Sequence, residues 1–200
     1  MEQTPSSVPL LEHRMVRDAS MLAAHHHRSQ IRRYNGVPYF THLKRVAEAT
    51  AKLSAATPEM VAAAFLHDLL EDQAPTAEER PRLERYILND TGAITLRYVI
   101  GLTNPSKGSN LPRAERKKMD REHLAKQEVE VRRIKLVDRI DNLAETFHSD
   151  MIGLATDFEF QNTYIDESLA LMEALRGTDK DLENRLGDIA DLLSEWIDRR

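Results

Sequence analysis

Two hundred residues, 41% hydrophobic and 30% charged, describe a globular chain with room for one core and a cleft, and exclude a disordered one. A formal charge of −5 argues against a dedicated nucleic-acid binder, and the absence of cysteine excludes disulfides and thiolate metal sites. No apolar run is long enough to span a bilayer, and residues 1–11 lack the features of a secretory signal, so no membrane partner and a cytoplasmic location are expected.

In chain order, nearly every segment carries helical period and none alternates as a strand, which predicts one all-α domain, a helical bundle over residues 1–200. A first helix is expected over about 10–33, with Leu11, Met15, Leu22 and Ile31 on its apolar side. Residues 34–37 form a turn built on Asn35-Gly36, and Pro38 opens a second helix over about 38–52, with Leu43, Val46 and Ala47 inward. Thr57 is placed to cap, and Pro58 to start, an alanine-rich helix that runs on through His67-Asp68-Leu69-Leu70-Glu71-Asp72. Residues 73–76 break it, and shorter helices follow over about 78–89 and 93–102 with a corner at 89–92. Residues 103–112, where Pro, Gly, Ser and Asn crowd together, are the expected mobile loop. The most charged stretch, 113–133, reads as a solvated helical surface, some of whose basic residues can form a positive rim for a polyphosphate. From Val131 the pattern turns apolar and sets Asp138 inside a packed helix, and amphipathic helices over about 158–176 and 179–198 follow.

The hexapeptide at 67–72 carries most of the chemistry. It packs four ionisable groups into about one and a half helical turns, so His67 shares a face with Glu71, and Asp68 with Asp72. Burying that many such groups costs several kcal/mol each without compensation, which a bound cation supplies. His67 and Asp68 suit a metal, while Glu71 and Asp72 lie one turn further on, where they would face a water. His42, in Pro38-Tyr39-Phe40-Thr41-His42, and Asp138, in the apolar stretch 134–143, each have an ordinary structural reading when taken alone. Together, His42, His67, Asp68 and Asp138 supply two imidazoles and two carboxylates, a set that suits a hydrolytic Mn, Fe, Zn or Mg ion.

Those four residues follow the order of the HD-domain metal phosphohydrolases, and three longer stretches resemble the RelA/SpoT-type alarmone hydrolases within them. Arg32-Arg33-Tyr34-Asn35-Gly36-Val37-Pro38-Tyr39-Phe40-Thr41-His42 is similar to their R-K-x-G-x-P-Y-x-x-H element. The hexapeptide matches their H-D-x-x-E-D, and Lys135-Leu136-Val137-Asp138-Arg139-Ile140-Asp141-Asn142-Leu143 resembles their K-L-A-D-R-L-x-N-M. The motif core spans about residues 32–143. The resemblance implies an HD-domain bundle that removes the 3′-pyrophosphate of ppGpp or pppGpp and leaves GDP or GTP. It further implies that His42, His67, Asp68 and Asp138 bind the metal, usually Mn²⁺, and that Glu71 and Asp72 position or deprotonate the attacking water. Arg33 would lie beside the guanine, and Asn142 would touch the sugar. Two departures concern recognition: Tyr34 replaces a family lysine, and Glu145 stands where long-chain members commonly have a smaller hydroxyl residue. Long members continue into a synthetase domain that needs several hundred more residues, so a stand-alone small alarmone hydrolase is expected. Two other readings are an HD-type nucleotidase acting on NADPH or a deoxynucleotide, and a non-catalytic nucleotide sensor. The Glu71-Asp72 pair argues against a monophosphate nucleotidase, and the full set of six residues against a sensor.

Lys107 and Lys117 are the basic residues expected first at the pyrophosphate. His25, His26 and His27 cannot converge on one ion, because consecutive helical positions point about 100° apart; they are expected on the surface or behind the site. His123 and His148 read as surface residues, and Tyr39 as packing beside His42 within reach of a phosphate.

Overall fold

Small side chains decide how the first helices meet. In the computed structural model, which describes residues 9–32, 35–74, 76, 78–154 and 157–199, helix α1 (Arg14–His26) buries only Val16, Ala19 and Ala23. It stops short of the expected end at residue 33. His27 N–H closes the last turn on the Ala23 carbonyl at 3.0 Å, and the chain then folds back on itself. Arg32 N–H reaches the Val37 carbonyl at 2.8 Å, and Tyr39 N–H the Gln30 carbonyl at 2.9 Å, around the Asn35-Gly36 turn with Gly36 at φ 69°. This pairing pulls residues 30–32 out of helical conformation; the bridge between Ile31 and Pro38 is the one isolated β-bridge among the described residues. Arg33 and Tyr34, the residues expected at the guanine, lie outside the described residues.

Helix α2 (Phe40–Thr50) starts two residues after Pro38 and buries His42, Leu43, Val46, Ala47 and Thr50, the one face that a 3.6 period allows. Helix α3 (Pro58–Leu66) is capped as expected, Thr57 Oγ1 accepting from Met60 N–H at 3.2 Å. Every residue from Met60 to Leu66 is buried, because no side chain in that run is polar. Its alanines let α1, α2, α5 (Glu79–Leu102) and α7 (Val129–Met151) pack around it. Among the fully buried side chains are Leu43, Met60, Leu66, Leu136 and Leu143, each worth about 1.5–3 kcal/mol by removal from water.

The hexapeptide does not continue α3. The chain turns at His67-Asp68, and a separate short helix, α4 (Leu69–Asp72), follows. His67 Nδ1 reaches the Ala64 carbonyl at 2.8 Å, so the ring itself takes an acceptor at the helix end. Helix α5 carries a sharp kink at Gly92, φ 84° and ψ 172°, where the sequence placed its corner. The expected mobile loop, 103–112, is anchored on both sides: Asn104 binds Glu71, and Ser106 binds Asp120 through its hydroxyl at 2.8 Å. The charged stretch divides into α6 (Arg113–Leu124) and the start of α7. Helices α8 (Phe158–Ala174) and α9 (Lys180–Asp198), capped by Asp157 and Asp179, close against α7. None of the helices among the described residues is long and apolar enough to cross a membrane.

Candidate metal-dependent active site

Three helices deliver one cluster. His42 sits on the first turn of α2, His67 just beyond α3, and Asp138 midway along α7; they are 0%, 2% and 4% exposed. His42 Nδ1 lies 2.7 Å from Asp141 Oδ2, and His67 Nδ1 lies 2.8 Å from a backbone carbonyl. Both partners only accept, so each Nδ1 is the donor and each Nε2 is left facing inward. Neither Nε2 has a hydrogen-bond partner, though both are buried. The ligand atoms of His42, His67 and Asp138 all lie within 4.8 Å of one another. Orphaned imidazole nitrogens aimed at a shared carboxylate fit a divalent ion bound by nitrogen and oxygen.

The electrostatics point the same way. Burial disfavours a charged imidazole, yet the charges of Asp68 and Asp138 hold His67 well above its ordinary pKa. At His42 burial pulls the pKa down, but the neighbouring carboxylates of Asp138 and Asp141 outweigh it and hold the ring above its ordinary value. Burial would raise Asp138, but the Lys135 and His67 charges keep it well below the usual carboxylate range, and His67 does the same for Asp68. The cluster attracts positive charge. Asp68 stands at its edge: Oδ2 is 3.0 Å from His67 Nε2 and 3.9 Å from His42 Nε2, and it accepts from the Tyr39 hydroxyl at 2.6 Å. Tyr39 also packs edge-on against His42, ring centroids 5.6 Å apart, so the expected packing role is joined by a grip on Asp68.

Glu71 and Asp72 are held by different donors. Glu71 accepts from the backbone and side-chain nitrogens of Asn104, both at 3.2 Å. Asp72 accepts from Gln30 at 2.8 Å and from Lys107 at 3.4 Å, which brings one of the two predicted lysines to the site. Gln30 in turn meets His27 Nδ1 at 2.6 Å; His27 is buried behind the site, while His25 is exposed. His148 is exposed as expected, but His123 is half-buried and reaches the Gly101 carbonyl at 3.0 Å, tying α6 to α5. Asn142 donates to Asp138 Oδ1 at 2.6 Å and accepts from Arg32 at 2.7 Å.

Sequence reasoning missed two groups. Lys135, Arg139 and Arg121 line a narrow cavity with the predicted Lys117, beside Asn104. Lys135 binds Asp138 Oδ2 at 2.8 Å, and Arg139 stacks over Tyr164, 4.6 Å from the ring centroid. Of the two carboxylates in that cavity, Asp120 is engaged by Ser106 and Glu167 by Arg113. Burial and then the Arg139 charge push Lys117 below the ordinary lysine value, against the opposing pull of Glu167 and Asp120. The motif K-L-V-D-R already held Lys135 and Arg139, so a reading of α7 by helical face would have found them. The second group is an ion-pair network behind His42, formed by Arg45, Asp141, Glu145 and Arg32. Its members come from distant parts of the chain and carry no local signal.

An HD domain family model matches residues 19–154. The Danio rerio guanosine-3′,5′-bis(diphosphate) 3′-pyrophosphohydrolase MESH1 is 31% identical over 166 residues, which cover 82% of this chain and 86% of that protein. The Homo sapiens protein of the same name is 29% identical over 171 residues, covering 84% and 89%. A solved structure described as a metazoan ortholog of SpoT that hydrolyzes ppGpp aligns over 94% of this chain and 96% of its own, with a TM-score of 0.71 at 25% identity. With that match, and with its three motifs gathered around one buried cluster, the chain belongs to the HD-domain family, on the RelA/SpoT-like side occupied by MESH1.

Proposed function

We propose that this protein is a metal-dependent (p)ppGpp 3′-pyrophosphohydrolase, releasing pyrophosphate and GDP or GTP. The observation that carries the reading is the pair of buried imidazole nitrogens without partners, converging on Asp138 one short helix away from Glu71 and Asp72. His42, His67 and Asp138, with Asp68 at the edge, would hold the metal, and Mn²⁺ is the ion we propose. A divalent ion there supplies polarisation of a phosphoryl oxygen and a lowered pKa for water.

The chain's own groups do the rest. Glu71 and Asp72, each oriented by donors, receive the proton of the attacking water. Water adds to the phosphorus attached at the sugar 3′-oxygen, the bond from phosphorus to that oxygen breaks, and the 3′-oxygen leaves as a hydroxyl. Lys107 and Lys117, joined by Lys135, Arg139 and Arg121, neutralise the phosphates, as cationic side chains stabilise charge that develops on a transferring phosphoryl group. Asn142 meets the sugar, and Arg33 with Tyr34 the guanine. The domain is proposed to extend over residues 1–200, with the cysteine-free composition suited to the cytoplasm.

The test is a product analysis. Purified protein is incubated with ppGpp, pppGpp, NADPH and deoxynucleotide monophosphates, with and without Mn²⁺, and the products are separated by chromatography. GDP and pyrophosphate from ppGpp, in the metal-loaded sample only, is the expected result. Turnover of NADPH or a monophosphate with ppGpp left intact would overturn it.

A further inference from the structure

His42 needs a reason to keep its Nε2 free, and the reason lies on the side away from the metal cluster. Asp141 Oδ2 takes the Nδ1 hydrogen at 2.7 Å. Arg45, from the next turn of α2, grips the same carboxylate with two nitrogens, at 2.7 Å and 2.9 Å, and reaches Glu145 Oε1 at 3.1 Å. Asp141 and Glu145 are four apart on α7, where two like charges repel unless a cation stands between them. Glu145 is also bound by Asn35 at 3.0 Å and, through its second oxygen, by Arg32 Nε at 2.5 Å. Arg32 goes on to Asn142 Oδ1 at 2.7 Å, and Asn142 Nδ2 to Asp138 Oδ1 at 2.6 Å.

We infer that Asp141 and Glu145 are positioning residues for the metal centre, the two halves of one ion-pair network that fixes His42 at one end and Asp138 at the other. The inference rests on the proposed metal site. Donor and acceptor counting gives it force. Arginine only donates, so Arg32 obliges Asn142 to present its oxygen, which leaves the amide nitrogen for Asp138, a group that only accepts. A carboxylate only accepts, so Asp141 obliges His42 to carry hydrogen on Nδ1 and to offer Nε2. Each end is set to one orientation by a group that allows no other. Arg45 holds Asp141 and Glu145 in register, because its planar fork spans both.

Asp141→Asn tests the first half. Arg45 would claim the new amide oxygen, turning the amide nitrogen to His42; the ring would then take the other tautomer, with hydrogen on Nε2. Binding of Mn²⁺ and Zn²⁺, measured by competition with a chelator, should weaken about 10–100-fold. Nitrogen NMR of the metal-free protein, at a pH where the ring is neutral, should show His42 moving from the Nδ1–H to the Nε2–H form. Glu145→Gln should weaken binding by less and leave the His42 tautomer unchanged, since it acts through Asn142. Metal affinity and tautomer both as in the wild type for Asp141→Asn would overturn the inference. Should that variant fail to fold, Arg45→Gln, at a half-exposed position, carries the same test, with a few-fold loss of affinity expected and none contradicting it. A wild-type protein that binds neither ion would instead bring down the metal site itself, a result distinct from either.

Discussion

Glu71 and Asp72 are neighbours on one four-residue helix, yet they are held by different donors, Asn104 for one and Gln30 with Lys107 for the other. If they handle the water's proton, Glu71→Gln and Asp72→Asn should keep metal and nucleotide binding and lose roughly 10²–10⁴ in kcat. Steady-state rates beside equilibrium nucleotide binding check this; near-normal kcat in both variants would move the role elsewhere. Glu145 makes a prediction about acid. Burial raises its pKa, but the Arg32 charge and the bonds from Asn35 and Arg32 take it below the ordinary 4.5. A carboxyl depressed by folding stabilises above its unfolded pKa, and that contribution is lost as pH falls through the lower folded value. Thermal midpoints of the wild type should therefore fall more steeply between about pH 5 and pH 3 than those of Glu145→Gln, the two converging at the acid end. Parallel curves would contradict the ion pair. At this scale the proposed ligands were legible because their types announce them: two imidazoles and two carboxylates in a cysteine-free chain. Asp141 was not, because it reads as one more aspartate on a helix, and its partner Arg45 lies 96 residues away.

The elements show where periodicity suffices and where it does not. The alanine-rich α3, its Thr57 cap and the long α7 follow from their residues alone, since apolar pattern and capping chemistry agree there. The helix expected over 10–33 ends at His26, because pairing of Arg32 with Val37 and of Tyr39 with Gln30 gives those residues partners outside a helix. The break at His67-Asp68 was equally hidden, as nothing local tells a ring nitrogen to take the Ala64 carbonyl. Gly92 was readable, being a glycine in a corner motif, and its backbone angles, φ 84° and ψ 172°, are ones that a side chain hardly tolerates. Gly92→Ala should cost about 1–3 kcal/mol by denaturant unfolding, although a methyl group would meet nothing within 4 Å. The penalty is one of backbone alone. Nucleotide turnover by the folded variant should be unchanged, and a neutral effect on stability would mean that the kink straightens.

Across the whole molecule, the net charge of −5 hides a division of labour. Acidic residues gather around the buried imidazoles, and four basic residues line the cavity beside Glu71, so the proposed cation and phosphate sites would adjoin. Composition argued against a nucleic-acid surface but could not reveal a basic-lined cavity inside an acidic chain, because burial and not sum decides the local field. Removal of divalent metal by a chelator should abolish turnover, with Mn²⁺ restoring it best. The central claim is that water attacks the phosphorus attached to the sugar 3′-oxygen. Hydrolysis of ppGpp in ¹⁸O-labelled water, followed by mass spectrometry of the products, tests it most directly. One labelled oxygen in intact pyrophosphate and none in GDP is the expected result; label at the 3′-hydroxyl of the nucleotide, or release of two single phosphates, would contradict it.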